Sequence, residues 1–147
     1  MADDINPKTL TTRERISYFL NNHENLLTLG LPEDAVLQAD TASSPTFRPF
    51  IVIRWLDVAG KVGPVSKRPF ELWGYDDDGD YTRIEAILKE AASLLTDSTT
   101  TPMLTKSGCI SQITDSETGY GQGSDLFDEG YNAVVIPWRF AAIATGL

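Results

Sequence analysis

Apolar residues recur along this chain in two periods, and the switches between them mark out its elements. Ile16, Phe19, Leu20, His23 and Leu27 fall on one helical stripe, which predicts a helix over about Thr12 to Leu27. Thr11-Thr-Arg-Glu14 has the pattern of a capping box that opens it, and Gly30 and Pro32 close it. Ala35–Gln38 predicts a short strand and the polar run Thr41–Thr46 a linker. Phe50–Val58 is too apolar for a strand with one wet face. Its β-branched and aromatic residues predict a central strand. Ala59–Lys67, with Gly60, Gly63 and Pro64, predicts a long hairpin tip, and Arg68–Tyr75 returns as the partner strand.

A second helix follows the acidic turn Asp76–Asp80. Ile84, Ile87, Leu88, Ala91 and Leu95 make its stripe, and Thr82-Arg-Ile-Glu85 reads as its capping box. Glu85 and Lys89 stand at i and i+4 in the favourable order, worth about 0.3–0.5 kcal/mol. Cys109–Thr114 predicts a strand. Asp115–Gly130 carries five acidic residues, four glycines and no base, which predicts a long acidic loop. In Tyr131–Ala142 the residues Val134, Ile136, Trp138 and Phe140 share one face of a closing strand. Pro137 lacks a donor and predicts an edge position or a bulge there. These elements predict an α+β fold, a mostly antiparallel sheet with two main helices packed on one face. One domain over residues 1–147, with a mobile N-terminus over 1–10, is the expected organisation.

Charge narrows the partners. The formal net charge is −9, and the longest basic cluster is Lys67-Arg68, so a groove that grips nucleic acid phosphates is not expected. No apolar run reaches the roughly 18 residues of a membrane span, and MADDINPKTL lacks the regions of a signal peptide. Cys109, the single cysteine, predicts folding in a reducing compartment.

Candidate chemistry is thin. Asp76, Asp78 and Asp80 alternate as ligands do in a calcium loop, but that loop needs Gly at position 6 and Glu at position 12. This chain has Tyr81 and Ile87 there. The expectation is instead a turn at Asp78-Gly79 and a helix cap from Thr82 and Glu85. His23, the only histidine, lies on an apolar stripe, which predicts a core or interface residue. Gly119-Tyr-Gly-Gln-Gly123 has no Lys-Ser/Thr after it and is no phosphate loop; flexibility is its expected role. Asp125, Asp128 and Glu129 are carboxylates in a glycine-rich segment. The apolar pair Leu126-Phe127 beside them packs either on a partner or back on its own sheet. No catalytic residue, metal ligand or cofactor is expected.

The order of elements resembles a known family. An N-terminal helix, the hairpin around Ile51–Tyr75, the unit Glu71-Leu-Trp-Gly-Tyr-Asp76 leading into Ile84-Glu-Ala-Ile-Leu-Lys89, and the ending Ser124-Asp-Leu-Phe-Asp128 before a terminal strand are similar to the tail terminator (tail completion) proteins of long-tailed bacteriophages. The resemblance covers roughly Thr11 to Ala142. It implies a small α+β structural protein, not an enzyme, that forms a ring, with six subunits expected. That ring caps the tail tube, receives the head–tail connector and lets DNA pass without specific binding. It further implies assembly in the host cytoplasm, a place in the virion and no membrane partner. Lys61, Val62 and Val65 at the hairpin tip, and Leu126, Phe127, Asp128 and Glu129 in the acidic segment, are the expected partner contacts. A head-closure or connector-adaptor protein at the same junction is the alternative, with a small calcium-binding module or hydrolase behind it.

Overall fold

Helix–strand alternation builds one mixed sheet backed by helices. A computed structural model describes residues 12–38, 47–57, 60–62, 65–79, 81–97, 110–114 and 121–145. The expected mobile N-terminus, the Thr11 cap, the 41–46 linker, Cys109 and the first part of the acidic loop lie outside the described residues. Three helices are present among those described: α1 (Thr12–Leu20), α2 (Glu24–Thr28) and α3 (Tyr81–Thr96). The strands are β1 (Val36–Gln38), β2 (Phe50–Trp55), β3 (Gly60–Val62), β4 (Val65–Asp77), β5 (Ile110–Thr114), β6 (Gly121–Gln122), β7 (Leu126–Asp128) and β8 (Ala133–Thr145). The sheet order is β1-β2-β4-β8-β5, with β3 also on β4, and β6 and β7 also on β8.

This corrects the expected fold class. Among the described residues strand dominates, the helices number three rather than two, and β1 joins β2 in parallel. The first helix breaks at Asn21–His23. Asn22 takes φ 63°, a left-handed value that ends α1. Its side chain donates to Asp34 Oδ1 at 3.1 Å and accepts the Asp34 N–H at 2.9 Å. His23 then starts α2, its Nδ1 accepting the Asn25 N–H at 3.2 Å. The break turns the stripe: Leu26 is buried and Leu27 is exposed, the reverse of the single-helix expectation. Asn21 closes the outer edge of β1, donating to the Val36 carbonyl and accepting from the Val36 N–H.

The frame is the β4–β8 ladder, thirteen residues paired without interruption from Val65↔Thr145 to Asp77↔Ala133. Side chains alternate across it. Gly74 marks the helix side, because a Cβ there would lie 2.5 Å from Ile84 Cγ1 and 2.9 Å from Leu88 Cδ1. By register, Ile51 and Ile53, Phe70 and Leu72, and Ile136 and Phe140 share that side, all with no exposure. Phe70 stacks on Phe140 with ring centres 5.1 Å apart. The helices bury their stripes here: Ile16 and Leu20 of α1, Leu26 of α2, and Ile84, Ile87, Leu88, Ala91 and Leu95 of α3.

Pro137 sits inside β8, between β4 and the short strands β6 and β7, so of the two expected positions the edge is corrected and the bulge is the one found. Its carbonyl accepts the Gly123 N–H at 2.7 Å. A strand residue's donor and acceptor point the same way, so the missing donor faces residues 123–125, between the end of β6 and the start of β7. The β4 ladder loses nothing. Three residues there oppose Ile136 and Pro137, a local bulge. A Cβ on Gly123 would lie 2.9 Å from Pro137 Cγ, so close approach, not flexibility, requires that glycine.

Candidate partner interface

The acidic turn is built on a buried ion pair. Asp76 ends the helix side of β4 with no exposure, and Arg83, in the first turn of α3, holds both its oxygens: Nε to Oδ2 at 2.8 Å and Nη2 to Oδ1 at 2.5 Å. Asp76 Oδ1 also accepts the Asp77 N–H at 2.7 Å. The first of the alternating aspartates is thus a strand-to-helix clamp. Asp78 and Gly79 form the turn, with Gly79 at φ 86°. Thr82 lies one residue inside α3, not ahead of it, and the cap position falls on residue 80, outside the described residues. Glu85 does not turn back to close a box either; its Oε2 accepts from Gln122 Nε2 at 2.7 Å. That contact ties β6 to the start of α3.

Beside it lies the edge that sequence reasoning singled out. β7 pairs with β8 through Leu126↔Val135, Phe127↔Val134 and Asp128↔Ala133. Leu126 and Phe127 therefore point to opposite faces, and they stay 40% and 46% exposed, the largest exposures among the big apolar side chains described. Tyr81 Oη donates to the Leu126 carbonyl at 2.8 Å. Asp128 Oδ1 accepts the Tyr131 N–H at 3.0 Å, holding the turn that contains exposed Glu129. The pair is folded onto its own sheet through the backbone while its side chains remain available to a partner.

Lys61, Val62 and Val65 belong to the other expected contact. Their backbones form the β3–β4 hairpin, Lys61 opposite Ser66 and Val62 opposite Val65. Val65 also opposes Thr145 of β8. Leu126 opposes Val135, which opposes Tyr75, ten residues further along β4. At about 3.3 Å per residue, roughly 33 Å of ladder separates the two segments. The structure does not bring them together; it sets them at opposite ends. The chain matches no protein-family model, and no curated protein matches it. Among the described residues, no helix is long and apolar enough to cross a membrane.

The sheet face away from the helices carries features that sequence reasoning missed. Leu37, Val52, Trp73 and Pro137 stand in one half-buried row across four strands. The next row is Arg54–Glu71–Arg139. Arg139 bonds Glu71 at 2.9 Å, Trp73 Nε1 bonds Glu71 at 2.9 Å, and the Arg54 guanidinium lies 4.8 Å over the Trp73 ring. Glu71 and Trp73 stand two apart on β4, but only cross-strand register brings Arg54 and Arg139 to them, so no local spacing could have announced the group.

At the end of this face Tyr75 stacks on Phe50, ring centres 4.7 Å apart, with Tyr131 edge-on at 5.2 Å. Burial raises the Tyr75 hydroxyl above the ordinary 10.0; a hydrogen bond and the positive charge of Arg54 work against the rise, and Asp128 and Tyr131 add to it. The folded state therefore holds this proton more tightly than the unfolded chain. Its contribution to stability is complete below pH about 10 and is lost as pH rises from there through the folded value. Chemical denaturation at about pH 9 and about pH 11 should show the cost of Tyr75→Phe shrinking at the higher pH. An equal cost at both would contradict the shift.

Proposed function

We propose that this chain is a ring-forming structural subunit of the phage head–tail junction, which caps the completed tail tube and offers a docking surface to the connector. The observation that carries the reading is the placement of its two contact segments. They stand at opposite ends of one thirteen-residue ladder, so they cannot meet within a subunit, and each needs a different neighbour. Contacts between unlike patches of identical subunits run head to tail and close into rings when the rotation permits. The exposed apolar pair on β7 supports the reading because such residues are typical of interface cores. The family resemblance supplies the tail tube as the thing capped.

The test is assembly. Purified protein is measured by light scattering and imaged by negative stain, alone and mixed with uncapped tail tubes. The expected result is a ring at one tube end, and Leu126→Ser/Phe127→Ser should reduce capping by about tenfold or more. A chain that stays monomeric and leaves tubes uncapped would sink the proposal. Rings found only on the head connector would move it to the connector-adaptor reading.

A further inference from the structure

Asp78-Gly79 is the one Asp-Gly or Asn-Gly pair in the chain, and the fold leaves it bare. Both residues are exposed in the turn between β4 and α3. Among the described residues nothing bonds the Asp78 carboxylate or the Gly79 N–H, and a Cβ on Gly79 would meet nothing within 4 Å. The aspartates before it are engaged: Arg83 grips Asp76, and its Nη2 lies 3.7 Å from Asp77 Oδ2. Asp57 and Asp125 are exposed too, but each precedes a branched residue, Val58 or Leu126. A branched side chain hinders attack by its own amide nitrogen, and glycine has none.

We infer that Asp78-Gly79 is a site of spontaneous covalent modification, at which the Gly79 amide nitrogen attacks Asp78 Cγ and the main chain is rebuilt through an isoaspartate. The N–Cγ bond forms, a Cγ–O bond of the carboxylic acid breaks, and its oxygen leaves as water with the amide proton. The product is a cyclic succinimide. Water then adds at one of the two ring carbonyls. Cleavage at Cγ restores aspartate, and cleavage at the Asp78 main-chain carbonyl leaves the chain running through Cβ. Water is the only co-reactant, and nothing is oxidised or reduced. Closure is intramolecular, so its rate follows how freely the two groups reach each other. A turn without packing or side-chain bonds opens at little cost. Gly79, at φ 86°, holds a conformation that costs glycine little. The isoaspartate adds one methylene to the link and frees an α-carboxylate there. Asp76 and Arg83 bridge the turn from its two sides, which confines the added length to the link.

Mass spectrometry of the full chain tests this. Protein is aged in buffer made with heavy-oxygen water, folded in one sample and in urea in another, and digested with trypsin. The peptide Arg68–Arg83 is then fragmented by electron transfer, which tells isoaspartate from aspartate at each position. The folded sample should accumulate isoaspartate at position 78, carrying one heavy oxygen, and none at Asp76 or Asp77. Asp78→Asn should speed its appearance several-fold, because ammonia leaves more readily than water. Asp78→Glu should abolish it, because the longer side chain closes a larger ring. Isoaspartate in the urea sample alone would show that the fold protects the turn and would overturn the inference. Its absence from both samples, or an even spread over the aspartates of the folded peptide, would overturn it equally.

Discussion

Replacing Arg83 with alanine is expected to destabilise the fold by about 2–4 kcal/mol, more than Asp76→Asn does. Breaking a buried pair by removing one partner costs about 3–5 kcal/mol, because the other charge is left desolvated and alone. The two partners here are unequal: the Asp76 side chain has no exposure and Arg83 has 36%. Arg83→Ala strands the deep carboxylate, though water can follow the vacated guanidinium and lower the cost. It also removes a side-chain stem whose Cδ lies where a Cβ on Gly30 would come within 3.3 Å. Asp76→Asn strands only a cation that already reaches solvent, and the amide oxygen can still accept the Asp77 N–H, so about 1–2 kcal/mol is expected. Asp76→Leu with Arg83→Met should recover much of the loss, since apolar groups of similar volume often replace such pairs. Urea midpoints at constant m-value read all three. Equal costs for the two single variants would show that the pair is not asymmetric in burial.

Gly74→Ala is expected to cost about 2–3 kcal/mol, although a glycine inside a strand would ordinarily gain about 0.5–1 kcal/mol from the change. The sign reverses because of what the new methyl meets: Ile84 Cγ1 at 2.5 Å, Ile84 Cδ1 at 2.8 Å and Leu88 Cδ1 at 2.9 Å. Two of those atoms belong to one side chain, the first of α3's buried stripe, and one of them is Cγ1, so rotation of a tip cannot clear them; the start of the helix must lift from the sheet. Ile84→Ala alone should cost about 2–5 kcal/mol through a cavity. In Gly74→Ala/Ile84→Ala the new methyl enters that cavity, and the double variant should be more stable than the summed singles by about 1–2 kcal/mol. Strict additivity would mean that the sheet and helix do not meet at this point.

Much of the local order was legible in the chain. The α3 stripe lies buried as its spacing predicts, because a 3.6-residue period has one way to meet a sheet. Phe70 and Leu72 face the helices, and Trp73 and Glu71 the other side, because the strand period leaves no choice of face. The Asp78-Gly79 turn followed from residue chemistry within four positions. The broken first helix was not legible. Asn22 is held in its left-handed turn by Asp34, twelve residues away, and no helical stripe records such a bond. Pro137 was legible only as an edge or a bulge: the rule concerns donors, and β8 satisfies it inside the sheet because the donor-free side faces a bulge, a choice made by the strands beside it.

The candidate interface divides the same way. Sequence alone marked the segments expected to bear partners: an apolar pair among acids at Leu126–Glu129 and a hairpin tip at Lys61–Val65. These are local properties of composition, carried wherever the segment goes. Tertiary structure decided that Leu126 and Phe127 occupy an edge strand with both faces exposed, that the hairpin lies ten residues along the ladder from them, and that Asp76 belongs to Arg83 rather than to a cation. Each of these depends on register between strands far apart in the chain. Register is set by the burial of whole faces at once, so no single stretch of sequence contains it.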